Sequence, residues 1–186
     1  MKKFPFALLF AMAFSVRAAT PLPGDSVLQV NHTFTNQNGR DFKLIERRGR
    51  PQLVAMFYTS CKYICPLIID SVKGVENSLT PAEKQKLSIL LISIDPARDT
   101  PEALMYIVNK RKLDTKRWTL ARTDANGVRT IAALLAVRYR VLSDGEFNHT
   151  SALILLDSEG RIVARTETLG TKPDPVFMAA VQKSLR

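Results

Sequence analysis

Cys61 and Cys65 are the only cysteines of the chain, four positions apart in Ser60-Cys61-Lys62-Tyr63-Ile64-Cys65-Pro66. Such a pair can form a structural disulfide, cycle as a redox dithiol, or bind a soft metal as two thiolates. Pro66 needs no N–H partner and suits the first turn of a helix. On such a turn a spacing of four puts both sulfurs on one side, where free N–H groups and the positive dipole end favour thiolate. Lys62 adds a local positive charge and is expected to lower the thiol pKa values. A bond closing so short a loop restrains little unfolded-chain entropy, so a structural staple gains little. The redox and metal readings stay open, and a third ligand decides between them.

Only His32 and His149 could supply that ligand. His32 falls in an N-terminal hairpin with no other ligand type nearby and reads as structural. His149 precedes the apolar strand Ala152 to Leu156, whose start is expected to border the cysteine loop. Two thiolates and one imidazole make a three-coordinate site suited to Cu(I), or to Cu(II) if a further ligand joins. Zinc normally takes a fourth ligand, which the chain does not clearly provide.

The elements that must position these residues alternate. Val27 to Phe34 and Phe42 to Leu44, with Asn38-Gly39 between them, read as a short β-hairpin. Gln52 to Tyr58 reads as a strand. Ile64, Leu67, Ile68, Val72, Val75 and Leu79 then recur at helical spacing. Thr80-Pro81-Ala82-Glu83 has the form of a capping box. Leu87 to Ile94 is a nearly continuous apolar run, as in a parallel strand buried on both faces at the centre of a sheet. Thr100-Pro101-Glu102 opens a helix to about Arg111. Trp118 to Ala121 follows as a short strand and Asn126 to Val137 as a helix. Ser151 to Leu156 and Ile162 to Thr166 form a hairpin turned at Asp157-Ser158-Glu159-Gly160, and Pro175 to Leu185 closes as a helix. The order predicts an α/β three-layer sandwich, with a thioredoxin-like fold as the specific candidate.

At 186 residues and 46% hydrophobic content the chain suits one ordinary globular domain, which excludes disorder, collagen-like repeats and a disulfide-rich miniprotein. Met1 to Ala19 reads as a secretory signal: Lys2 and Lys3, an apolar run from Phe4 to Phe14, then small residues. The apolar run is shorter than the ~20 residues that span a bilayer. Cleavage after Ala18 leaves a single domain, residues 19–186, and removes Lys2, Lys3 and Arg17, lowering the formal charge from +10 to about +7. An exported, periplasmic protein rarely meets nucleic acid, so its acidic contacts are expected to be protein or membrane surfaces. A solvated helix face and its loop account for the cluster from Lys110 to Arg122.

Several motifs in order carry a family resemblance: Tyr58-Thr59-Ser60-Cys61, Cys61-x-x-x-Cys65-Pro66, Ser93-Ile94-Asp95-Pro96-Ala97-Arg98-Asp99-Thr100-Pro101, Asn148-His149-Thr150-Ser151, and Asp157-Ser158-Glu159-Gly160-Arg161. Together they resemble the SCO/SenC family from about Val30 to the C-terminus. The resemblance implies a thioredoxin fold, with copper held by Cys61, Cys65 and His149. It also implies delivery of that copper to cytochrome c oxidase, sometimes with thiol reduction of the oxidase copper site. Asp95 matches a family acid near the site and is not expected to be a ligand. Many members carry Pro-Asp where this chain has Lys62-Tyr63, and the added positive charge is expected to favour Cu(I). Members are commonly membrane-anchored, whereas the signal here reads as cleavable, which suits a soluble, monomeric shuttle. Its expected partners are an oxidase subunit, other copper chaperones and thiol reductants.

The rival is a thiol-disulfide oxidoreductase or redox sensor using Cys61 and Cys65 as its redox pair. The spacing is one residue longer than Cys-x-x-Cys, and no proline precedes the strand near Ser151. A peroxiredoxin pattern fails because Thr59 is one position out of register with Cys61.

Overall fold

The computed structural model describes residues 20–186. The signal segment and the cut after Ala18 lie outside the described residues. The chain runs through β1 (Phe34–Asn36), β2 (Asp41–Phe42), β3 (Gln52–Phe57), α1 (Ile64–Asn77), α2 (Pro81–Lys86), β4 (Ser88–Ser93) and α3 (Pro101–Arg111). It continues through β5 (Trp118–Arg122), α4 (Ala125–Leu134), β6 (Tyr139–Val141), β7 (Phe147–His149), β8 (Leu153–Leu156), β9 (Ile162–Thr166) and α5 (Pro175–Ser184).

Seven strands form one sheet in the order β2-β1-β5-β4-β3-β8-β9, while β6 and β7 pair only with each other. The strands β3, β4 and β5 are parallel, and β8 runs antiparallel to β3. Every residue of β3 and β8, and all of β4 after Ser88, is buried, so helices cover both faces of the middle of the sheet. β4 is the central strand, as its apolar run requires. The fold is a thioredoxin-like α/β sandwich with an added N-terminal hairpin.

Local chemistry sets the helix starts. Thr80 closes a capping box with Glu83 before α2, Thr100 accepts from the Ala103 N–H before α3, and Pro81, Pro101 and Pro175 occupy first helical positions. No helix among the described residues is long and apolar enough to cross a membrane.

Three boundaries differ from the expectation in kind or by several residues, and β8 begins at Leu153 and not at Ser151. Val27 to Gln29 is a turn of 3₁₀ helix, and the strand expected from Val27 begins only at Phe34. Ser26 explains this: its hydroxyl accepts from the Leu28 N–H, and the Val27 N–H donates to the Gly160 carbonyl at 2.9 Å. The capped turn thereby buries Val27 and Leu28 against the β8–β9 connection. Leu44 likewise opens a 3₁₀ turn to Arg47 and does not extend β2. α4 stops at Leu134, before the left-handed Ala136 (φ 50°).

The parallel register pairs Phe57 with Ser93. The loops that follow β3 and β4 therefore leave the sheet side by side at its carboxyl edge, where open α/β sheets place their sites. One loop carries Cys61 and the other carries Asp95, Arg98 and Asp99.

Candidate metal centre

Cys65 occupies the second position of α1, whereas Cys61 lies in the turn before the helix. The expectation that both cysteines share a helical turn is corrected accordingly. Tyr63, at the cap position, offers the helix no side-chain acceptor, and the Cys61 sulfur supplies one by accepting from the Cys65 N–H at 3.3 Å. Cys65 is 3% exposed, and its own sulfur accepts from the Tyr58 N–H at 3.4 Å. Both cysteines are free thiols.

The pair is electrostatically unequal. A hydrogen bond from the Cys65 thiol, aided by the N–H groups of Cys65 and Tyr63, holds Cys61 down at about 5 against the cost of partial burial. The same contact, together with burial, pushes the Cys65 thiol well above its ordinary value. Lys62, expected to lower the thiols, is not among the groups that hold Cys61 down; the helix start and the partner cysteine do so.

His149 ends β7, on the small hairpin whose register sets it opposite Tyr139. Its Nε2 lies 3.9 Å from the Cys65 sulfur, and its Nδ1 lies 3.1 Å from the Thr150 carbonyl. Only a protonated Nδ1 can donate to that carbonyl, so the neutral ring turns an Nε2 lone pair toward Cys65. Burial lowers the His149 pKa and keeps the ring neutral. Sulfur and nitrogen bound to one small ion at ~2.3 and ~2.0 Å, as around zinc, lie roughly 3.5 to 3.8 Å apart. The observed separation is close to that, and the donor chemistry suits a soft ion. Among the described residues, no three metal-ligating side chains are preassembled around one point. Cys61, Cys65 and His149 share one corner of the fold.

That corner is open on one side and braced on the other. A cavity of about 430 Å³ beside Cys61 is lined by Tyr58, Tyr63, Leu142, Glu146 and Phe147 among others, and Tyr63 at its rim is 87% exposed. Behind it, fully buried Asp99 accepts from the Thr59 N–H (3.1 Å), the Thr59 hydroxyl (2.5 Å) and the Ser93 hydroxyl (2.5 Å). Burial raises the Asp99 pKa, while these bonds favour its charged form. The Asp99 side chain thus ties the segment leading to Cys61 to the β4–α3 loop. The Tyr58 hydroxyl lies 3.0 Å from Glu146 Oε2 and accepts from the Phe147 N–H at 3.4 Å, joining the same segment to the His149 hairpin.

A family model described as SCO1/SenC matches residues 21–185, nearly all of the described chain. The chain belongs to the SCO1/SenC family. A SCO2-like protein of Rickettsia prowazekii is 30% identical over 135 residues, covering 68% of this chain and 62% of the relative, so the match spans under two thirds of that relative's length. Among solved structures, the chain is similar to copper-bound ScoI of Bradyrhizobium japonicum, with a TM-score of 0.68, 23% identity, and coverage of 82% of this chain and 96% of that one. It is also similar to BsSco, described with a disulfide switch and as a member of the Sco family of cytochrome c oxidase assembly proteins. That match has a TM-score of 0.69, 21% identity, and coverage of 82% and 90%. Likeness at these identities shows the Sco fold.

Within this SCO1/SenC chain, the residues singled out from the sequence are distributed unevenly. Cys61, Cys65 and His149 converge on one corner. His32 lies apart, with Nε2 3.3 Å from the Thr130 hydroxyl and Nδ1 3.7 Å from Asp124. Asp95 contacts the Arg98 side chain, with its own N–H on the Ser93 hydroxyl at 2.9 Å. The β6–β7 hairpin was missed by the sequence reading, as were the roles of Tyr58, Glu146 and Phe147. Its signal was present as Asp144-Gly145 between Tyr139-x-Val141 and Phe147-x-His149, with Gly145 at φ 79°.

Proposed function

We propose that this SCO1/SenC protein is an exported, periplasmic copper chaperone that receives copper and passes it to a respiratory oxidase copper site. Cys61 and Cys65 hold the ion as thiolates, and neutral His149 completes the site through Nε2. The observation that carries the reading is the approach of His149 Nε2 to Cys65 with Nδ1 satisfied by Thr150. Copper-bound relatives of the same fold support copper as the cargo. The open cavity beside Cys61 gives an incoming ligand a path to the ion, as transfer by ligand exchange requires. The chaperone works as a monomer. Its partners are an oxidase subunit, other copper chaperones and thiol reductants, with contact to an acidic membrane surface suited to its basic charge. Thiol–disulfide exchange with a partner's disulfide, which takes up the two electrons and becomes two thiols, oxidises Cys61 and Cys65 to a disulfide, removes both thiolate ligands and releases copper.

A second reading, dithiol reduction of a partner's disulfide, is favoured by one observation. Cys61, held down at about 5, is a thiolate at neutral pH beside a protonated Cys65, an attacking and a resolving thiol. One experiment separates the two. Copper-loaded protein is mixed with the apo soluble domain of an oxidase copper subunit whose cysteines are already reduced, and metal is counted in each after separation. Copper moving to the acceptor supports delivery. Copper staying put, together with rapid reduction of the acceptor when it is supplied as a disulfide, supports the reductase.

A further inference from the structure

The hairpin that carries His149 is structurally isolated. β6 and β7 hold three residues each, pair with each other and join no strand of the main sheet. A lone two-stranded hairpin is marginal in water, so side chains from outside must hold it in place. One residue of the β4–α3 loop meets its turn in three ways. The Arg98 guanidinium donates to the Gly145 carbonyl at 2.8 Å, lies 3.7 Å from Glu146 Oε1, and stacks with its carbon 5.7 Å from the Phe147 ring centroid. Its other side is fixed by Asp95, which takes the Arg98 Nε and, at 3.3 Å, the Arg98 N–H. Asp95 is itself buried.

We infer that Arg98 is a positioning residue, a brace that holds the β6–β7 hairpin where His149 Nε2 meets Cys65. The planar fork of Arg permits this, because separate N–H groups face Asp95, the Gly145 carbonyl and Glu146 at once. A lysine ammonium on a flexible stem has the charge without that fan of donors. Asp99, one residue on, anchors the segment leading to Cys61 through Thr59. Beside the Tyr58 bridge, this loop thereby ties both halves of the site together, and Arg98 is its arm to the imidazole half. The inference rests on the copper reading only for its effect on affinity; the brace itself belongs to the copper-free fold.

Two measurements test it on the reduced chain. The first is amide hydrogen exchange without metal on wild type and Arg98→Ala. The expected result is at least tenfold faster exchange at Leu142 and Gly145, whose N–H groups bond across the turn, with β3 and β4 unchanged. Unchanged exchange in the hairpin, or loss of protection throughout the sheet, overturns the brace. The second is Cu(I) affinity by chelator competition for Arg98→Ala, Arg98→Lys, His149→Ala and the double variant Arg98→Ala/His149→Ala. Arg98→Ala should lose affinity by about the same factor as His149→Ala, with no further loss in the double variant. Full retention in Arg98→Lys, or an undiminished Arg98→Ala effect in the His149→Ala background, assigns the residue a charge effect and overturns the inference. If wild type binds no copper, the copper reading fails and exchange alone decides the brace.

Discussion

Replacing Cys65 by alanine should change how the reactivity of Cys61 depends on pH far more than its rate at pH 7. With its pKa at about 5, Cys61 is almost wholly thiolate at neutrality. An ordinary thiol near ~8.5 is roughly 3% ionised at pH 7, so the structure offers about 30-fold more thiolate. A thiolate of lower pKa is a weaker nucleophile, and a Brønsted slope of ~0.4 to 0.5 over this shift costs roughly 40-fold. The two effects nearly cancel, and a single rate at pH 7 reveals nothing. The profile does. Alkylation of the reduced, metal-free protein with iodoacetamide, followed by peptide mass mapping, should be flat from about pH 6 to 8.5 and confined to Cys61. Buried, protonated Cys65 should stay unlabelled. In Cys65→Ala the first cause of the depression is gone while the Tyr63 and position-65 N–H groups remain, so the midpoint should rise by ~1 unit or more. A wild-type rate that climbs about tenfold per pH unit from 6 to 8.5 would refute the reasoning.

Stability and proton counts follow from the same groups. Between pH about 5 and ~8.5 folded Cys61 binds fewer protons than the unfolded chain, so the reduced protein should gain stability with rising pH and lose it as pH falls through about 5. Above ~8.5 the raised Cys65 reverses the sign, and denaturant midpoints should pass a maximum near there. Cu(I) binding at pH 7 should release close to one proton, from Cys65, because Cys61 is already ionised and His149 neutral; calorimetry in two buffers of different ionisation enthalpy reads the number. Glu76→Ala should cost about 2 to 4 kcal/mol in chemical denaturation, since buried Glu76 accepts from Trp118 Nε1 (3.1 Å) and Arg117 Nε (2.7 Å). Gly74→Ala should destabilise despite a helix-propensity gain of about 1 kcal/mol, because a Cβ there would sit 2.5 Å from the Thr171 carbonyl oxygen, a backbone atom.

The sheet and the meeting of Cys61, Cys65 and His149 were legible in the sequence for different reasons. β3 and β4 are buried on both faces, so their patterns are apolar throughout, and the capping chemistry of Thr80 and Thr100 marks the helices beside them. That Cys61, Cys65 and His149 come together was legible because rare residue types narrow the choice. Val27 to Gln29 misled because apolar content alone cannot reveal that Ser26 bonds back to Leu28 and across to the Glu159 carbonyl. The β6–β7 hairpin escaped because its strands are three residues long and their stabilising partners, Tyr58 and Arg98, are distant in sequence. The unequal thiols depend on which N–H groups face each sulfur, and spacing does not encode that.

The most direct test of the central claim is X-ray absorption at the copper edge on the reduced protein loaded with one equivalent of Cu(I), beside Cys61→Ser, Cys65→Ser and His149→Ala. Two sulfurs and one nitrogen in wild type, one sulfur lost in each cysteine variant and the imidazole signature lost in the third, is the predicted result. A copper environment that is identical in wild type and all three variants would contradict the account.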